Sequence, residues 1–269
     1  MTGRWIEVAD GVHARRYAEL DLTVGLVVGA ERCLVVDTRG DVEQGAELAA
    51  AIRELTPLPW SVVYTHAHFD HAWGTEAFTP CAIWAHEGCR AELAESGEAD
   101  RAKWIAYYRE QNKPDTADAI ARTTLVAPDH LFTDRTELDL GGRTAVLLHP
   151  GRAHTDHDAV VHVPDAGVLF AGDVVENAEH GFSAFSFSAE TDLTAWPDTF
   201  DTLLALEPRV IVPGHGDPVD ADFVRYHRHG LHELIALKAA MGRGETTEAA
   251  AVAASRYPGD VTLAALNTP

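Results

Sequence analysis

The chain has 269 residues, 46% of them apolar, enough to bury a sizeable core. Lys and Arg number 21 against 42 Asp and Glu, a formal net charge of −21. That balance argues against a nucleic-acid partner, and the lack of any apolar run near 18 residues argues against a membrane-spanning helix.

In chain order, the first 40 residues read as β structure. TVGLVVG (23–29) and RCLVVD (32–37) are β-branched runs with a short break between them, the pattern of a hairpin. DVEQGAELAAAIREL (41–55) reads as a helix. Asp41 is placed to cap it, Leu48, Ile52 and Leu55 recur at helical spacing, and Pro57 and Pro59 end it. Strands are expected at 60–65 and 81–86. Residues 87–122 then turn charged and helical, with Trp104, Ile105, Tyr107 and Tyr108 clustered. They read as a helical insertion, either a solvated helix pair with a core stripe or a wall over a site. TELDL (136–140) and RTAVLLH (143–149) flank Gly141 and Gly142, a second hairpin signal. Further strands are expected at 158–163, 167–175 and 209–212. A helix at 192–206 must carry Pro197 in its first turn or kink there. From Val219 to residue 269 the pattern is mostly helical. Each half runs strands and then a helix, which suggests two facing sheets with helices outside, in a single domain. Cys33, Cys81 and Cys89 form no CxxC pair, and residues 1–17 hold no apolar leader core. Both features fit a soluble cytoplasmic protein.

The most informative stretch is VVYTHAHFDHAWG (62–74). With 64–68 extended, His66 and His68 project to one side. A helix start just after it brings His71 about one turn from His68. His66, His68, Asp70 and His71 then converge on one small volume. Imidazoles and carboxylates crowded in this way hold divalent metal. His154 in GRAHTDHD, Asp173 in LFAGDVV and His215 in VPGHGD extend the set. Asp173 and His215 follow apolar strands, as His66 does, and strand ends are where sheet proteins build sites. Among the other histidines only His157, three residues after His154, is placed to reach the edge of such a site. The rest, His180 included, are expected on the surface or in the core.

In HAHFDH, with His154, Asp173 and His215, the chain resembles the metallo-β-lactamase superfamily over roughly residues 5–220. The resemblance implies an α/β (α+β) fold, a four-layer αββα sandwich of two mixed sheets with a dinuclear site at one edge. It implies that His66, His68 and His154 hold a first metal, that Asp70, His71 and His215 hold a second, and that Asp173 bridges them. An aspartate at the bridging place is similar to glyoxalase II-like hydrolases and lactonases, and differs from the true β-lactamases. The donor set suits two zinc ions, with iron or manganese as alternatives. The implied activity is attack of a zinc-bound hydroxide on an ester, lactone, thioester or amide carbonyl, with Asp70 orienting the nucleophile and passing a proton.

The competing readings are a mononuclear iron sulfur dioxygenase of the same fold, a β-lactamase-like amide hydrolase, a nuclease and a metal-stabilised binding protein without turnover. The −21 charge argues against the nuclease. The expected partner is a small, partly apolar molecule, with neither nucleic acid nor membrane. Phe182, Phe185 and Phe187 in EHGFSAFSFSAE (179–190), with Phe69 and Trp73, are expected to wall its pocket. The alternative for 179–190 is a loop tucked into the core. Arg39 is a candidate anion anchor, with a surface role as the alternative.

Overall fold

The computed structural model describes residues 3–179 and 181–269. His180 lies outside them. Among the described residues, β1 (Arg4–Ala9), β2 (Val12–Arg16), β3 (Thr23–Val28), β4 (Cys33–Val36), β5 (Trp60–Val63), β6 (Ile83–His86) and β7 (His130–Phe132) pair in that order as one sheet. The first four run antiparallel, and β4 to β7 run parallel. A second sheet has the order β12-β11-β10-β9-β8, built from β8 (Arg135–Asp139), β9 (Thr144–Leu148), β10 (Val160–Val163), β11 (Val168–Glu176) and β12 (Val210–His215). The β8–β9 hairpin turns at Gly141 and Gly142, whose φ of +87° and +75° suits glycine at both central positions. β7 has no counterpart in the sequence reading. It is three residues long with only Phe132 buried, so no alternation marks it.

Helices α1 (Val42–Leu55), α2 (Phe69–Ala72), α3 (Glu87–Glu95), α4 (Gly97–Glu110) and α5 (Pro114–Arg122) follow or interrupt the first sheet. α6 (Trp196–Leu204), α7 (Ala221–Gly242), α8 (Glu248–Ala254) and α9 (Gly259–Leu266) follow the second. Asp41 caps α1, accepting from the backbone N–H of Glu43 and Gln44 at 2.9 and 2.8 Å. Pro197 sits in the first turn of α6, where its missing N–H costs nothing. The helix starts at Trp196 because the Asp192 carboxylate accepts from Thr194 and Ala195 and holds a turn ahead of it.

Three apolar layers result. Val27, Leu34, Val63, Leu147, Val161 and Phe170 meet between the sheets. Leu48, Ile52, Trp73 and Ile120 lie under α1 and α5, outside the first sheet. Trp196, Phe200, Leu231 and Ala265 lie outside the second. All nine residues of β11 are buried, as a central strand covered on both faces requires. This is the αββα sandwich.

Phe182 belongs to the outermost of these cores, which corrects its placement in a pocket wall. It is 2% exposed, and its ring lies 5.3–5.7 Å from the rings of Phe187, Trp196, His227 and Tyr257. Ser183 and Ser186 cap each other across a short 3₁₀ turn, Ala184–Ser186. That turn sends Phe182 and Phe187 inward and Phe185 outward. Truncating Phe182 to alanine should therefore cost stability, about 3–5 kcal/mol. Denaturant melts check this, together with substrate preference, which should not change.

A candidate metal centre

β5 ends at Val63, the chain bends through residues 65–67, where an extended run was expected, and His68 is the N-cap residue of α2 at φ −61°, ψ 151°. This turn carries His66, His68, Asp70 and His71 past the sheet edge. His154 comes from the β9–β10 connection, Asp173 from within β11, and His215 from the end of β12. The structure brings all seven together. Ligand atoms of His66, His68, His154 and Asp173 form one group within 4.8 Å of one another, and those of Asp70, His71 and His215 form a second. His154 Nε2 is 2.9 Å from His68 Nδ1, and His71 Nε2 is 3.5 Å from His215 Nε2. Asp173 lies 3.8 Å from His66 Nε2, 3.6 Å from His154 Nε2, 3.2 Å from His71 Nε2 and 3.3 Å from His215 Nε2. Close approach of backbone makes room for it. A Cβ on Gly214 would sit 1.9 Å from Asp173 Oδ1.

These spacings fit metal ligation. Four nitrogens at 2.0–2.1 Å around a tetrahedral ion stand about 3.3 Å apart. His66 Nε2 and Asp173 Oδ1 are buried without a hydrogen-bond partner, which is costly unless an ion takes them. The ring nitrogens turned away from the centre are held in the manner of metal-ligating histidines. His71 Nδ1 is 2.8 Å from Asp37 Oδ2, His154 Nδ1 is 2.9 Å from the Ser186 carbonyl, and His215 Nδ1 is 2.7 Å from the Leu20 carbonyl. His66 Nδ1 reaches Thr65 Oγ1 at 3.0 Å, and that hydroxyl donates to Asp37 Oδ2 at 2.8 Å. Asp37 thus fixes two imidazoles, one through Thr65, from a buried position at φ +66°. Sequence reading missed this role, although Asp37 ends an apolar strand as His66 does.

The charges divide the set. Burial, with the like charge of His68 and other imidazoles, holds His154 down to about 4, and His66 is pushed well below the usual range by burial and His71. Burial also works against the charged forms of His71 and His215, but the Asp173 and Asp70 carboxylates outweigh it. His71 is held well above the usual range and His215 is pushed up to about 10. Glu176, beside them, is raised to about 8 by burial and by Asp173. Divalent ions at the centre act in the opposite sense on that carboxyl.

The sequence model of the metallo-beta-lactamase superfamily matches residues 20–215. The chain belongs to that superfamily. Metallo-beta-lactamase type 2 of Bacteroides fragilis is 29% identical over 122 residues, 45% of this chain and 48% of that protein. Acyl-coenzyme A thioesterase MBLAC2 of Gallus gallus is 30% identical over 162 residues, 56% of this chain and 57% of that protein. The chain therefore spans about half the length of these curated relatives. A solved metallo-beta-lactamase from Pontibacter korlensis superposes with a TM-score of 0.66 at 22% identity, covering 86% of this chain and 99% of that one, and so shares its fold.

In this metallo-beta-lactamase fold, a cavity of about 570 Å³ is lined by four of the seven residues, His68, Asp70, Asp173 and His215. Phe69, Phe185 and Phe187 line it with Trp104 and Tyr107 of α4, so the insertion contributes a wall. Phe185 is 65% exposed, whereas Phe187 only touches the cavity from the core. Three expectations are corrected. Trp73 is 2% exposed and packs in the core under α1, because α2 is a single turn that rolls the next residue inward. Arg39 is buried and paired with Glu47 at 3.0 Å over the Tyr17 ring, so no free guanidinium faces the site. His157 stands behind the metal loop, with its Nε2 3.3 Å from the Ala67 N–H, and belongs to neither ligand group.

Two outcomes follow for the metal. Asp37→Ala should weaken zinc binding by about 10–100-fold, read by chelator competition, while the chain still folds. The Asp173 and Asp70 carboxylates favour the protonated forms of His71 and His215 in the metal-free chain, and an imidazole must lose its proton to ligate. Zinc loading should therefore release at least one proton per chain, and affinity should rise with pH. Calorimetry in two buffers of different ionisation enthalpy measures the release.

Proposed function

We propose that the chain is a dinuclear zinc hydrolase that cleaves an ester, lactone, thioester or amide bond in a small, partly apolar substrate. One observation carries the reading. The Asp173 carboxylate stands 3.2–3.8 Å from four imidazoles drawn from both ligand groups, the position of a bridge between two ions. His66, His68 and His154 would hold one ion, and Asp70, His71 and His215 the other. Bound there, the ions would supply an activated water at neutral pH and a Lewis acid for a carbonyl oxygen.

The chain's own residues do the rest. Asp70 lines the cavity, with Oδ2 3.5 Å from His215 Nε2 and 3.8 Å from His71 Nε2. It can orient the nucleophile and carry a proton to the leaving group. Asp37, Thr65, Ser186 and Leu20 hold the imidazoles in place, so little reorganisation is needed during the reaction. Phe69, Trp104 and Phe185 keep water off the apolar part of the substrate. The relative named as an acyl-coenzyme A thioesterase supports acyl transfer to water as the reaction class.

Metal analysis of protein loaded under excess zinc should give about two ions per chain. A reproducible value near one overturns the dinuclear reading and favours a mononuclear site. Asp173→Ser should lose the second ion and lower turnover on a panel of esters, lactones and thioesters by at least about 10²-fold. Retention of both ions at full turnover refutes the bridge.

A further inference from the structure

Five imidazoles face the metal centre, and four of them have the outer ring nitrogen held. The partners of His66, His71, His154 and His215 stand 2.7–3.0 Å away. His68 is the exception. Its Nδ1 faces the centre, 2.9 Å from His154 Nε2, so Nε2 is the nitrogen turned away. That nitrogen makes no hydrogen bond of ordinary length to a described residue, and at 27% the His68 side chain is the most exposed of the five. An imidazole that ligates through Nδ1 carries its proton on Nε2, and an acceptor for that proton fixes the tautomer and the ring plane.

The group in reach is Glu190. Its Oε1 lies 3.9 Å from His68 Nε2, and no other carboxylate of the described residues comes within 4.0 Å of His68. The gap is about 1 Å longer than a hydrogen bond, within the range of a small side-chain rotation. The carboxylate is not committed elsewhere. Its Oε2 is buried without a hydrogen-bond partner, a cost that a bond to His68 would offset. The backbone beneath it is fixed. The Glu190 N–H donates to Ser188 Oγ at 3.1 Å, the Thr191 hydroxyl donates to the His154 carbonyl at 3.0 Å, and the Asp192 N–H donates to the Ala153 carbonyl at 3.0 Å. Glu190 is therefore mounted on backbone tied to the His154 segment, and its side chain meets His68. Both residues line the cavity.

We propose that Glu190 is a positioning residue: it accepts the Nε2 proton of His68 and so aims the Nδ1 lone pair at the ion held by His66, His68 and His154. The inference rests on the metal-centre reading and adds the missing outer partner of the fifth imidazole. Through Thr191 and Asp192 on one side and His68 on the other, the segment 188–192 couples two ligands of the same ion.

The test reads zinc binding, so it does not depend on turnover. Zinc alone is titrated against a competing chelator. Glu190→Ala should weaken zinc binding by at least about tenfold, the scale of a lost outer partner, and only in the binding step that His68→Ala abolishes. Glu190→Gln keeps an acceptor and should stay within about threefold of the parent. Unchanged affinity in Glu190→Ala overturns the proposal. So does Glu190→Gln as weak as Glu190→Ala, and so does a raised KM with zinc affinity untouched, which makes Glu190 a substrate contact. Glu190 is about one-third exposed, so the metal-free Glu190→Ala chain should melt as the parent does. Should it not, the parent decides alone. With zinc bound, its His68 Nε2 proton must give a resolved magnetic resonance signal in slow exchange with water, and absence of that signal overturns the proposal. A parent chain that binds no zinc sinks the metal centre and this inference together. A chain that passes the zinc test yet hydrolyses nothing on the panel sinks the hydrolase reading and keeps this one.

Discussion

The site depends first on one buried carboxylate. Asp37 accepts from the Thr65 backbone N–H and hydroxyl, both at 2.8 Å, and holds His71 at 2.8 Å. It thereby ties the end of β4 to the end of β5 and to α2, the three pieces from which the HAHFDH segment departs. A carboxylate at 2% exposure is costly unless its oxygens are satisfied, and here three donors satisfy them. The positive φ at Asp37 shows that the backbone accepts strain to keep the group there.

The sandwich supplies the second constraint. β4 and β5 end at the same sheet edge because they run parallel, and β11 and β12 do the same in the facing sheet. Parallel neighbours place consecutive strand ends side by side. Residues from positions 37, 66, 173 and 215 therefore meet across the edge although far apart in the chain. The apolar layer between the sheets holds those edges in register.

The C-terminal helices act on the site at one remove. Phe182 is clamped by His227 of α7 and by Tyr257, and the Ser183–Ser186 turn follows directly. The Ser186 carbonyl then fixes His154 Nδ1. The packing of α7 to α9 thus bears on the orientation of a metal-facing imidazole. The same turn presents Phe185 to the cavity opposite Trp104 of the insertion. Two segments peripheral to the sheets build the substrate side between them.

The amino-acid sequence alone pointed to every strand but β7, to most of the helices, to the hairpin at Gly141 and Gly142 and to the cap at Asp41, and through its resemblance to a known superfamily to the seven metal-facing residues. The elements and the HAHFDH cluster are written in local spacing: period 2 in strands, 3.6 in helices, and histidines two and three residues apart after a strand, whereas His154, Asp173 and His215 stood out by their places after apolar runs and by the resemblance. Tertiary structure decided what local spacing does not encode. Phe182, Phe185 and Phe187 look alike in the chain, and only the mutual caps of Ser183 and Ser186 and the clamp on Phe182 from 45 and 75 residues away sort them between core and cavity. Arg39 looked free until Glu47 and Tyr17 folded over it, and Trp73 looked like a pocket wall until α1 covered it. Asp37 carried no motif of its own. Its role exists only because parallel pairing sets the end of β4 beside the end of β5, a contact between residues 28 and 34 positions apart.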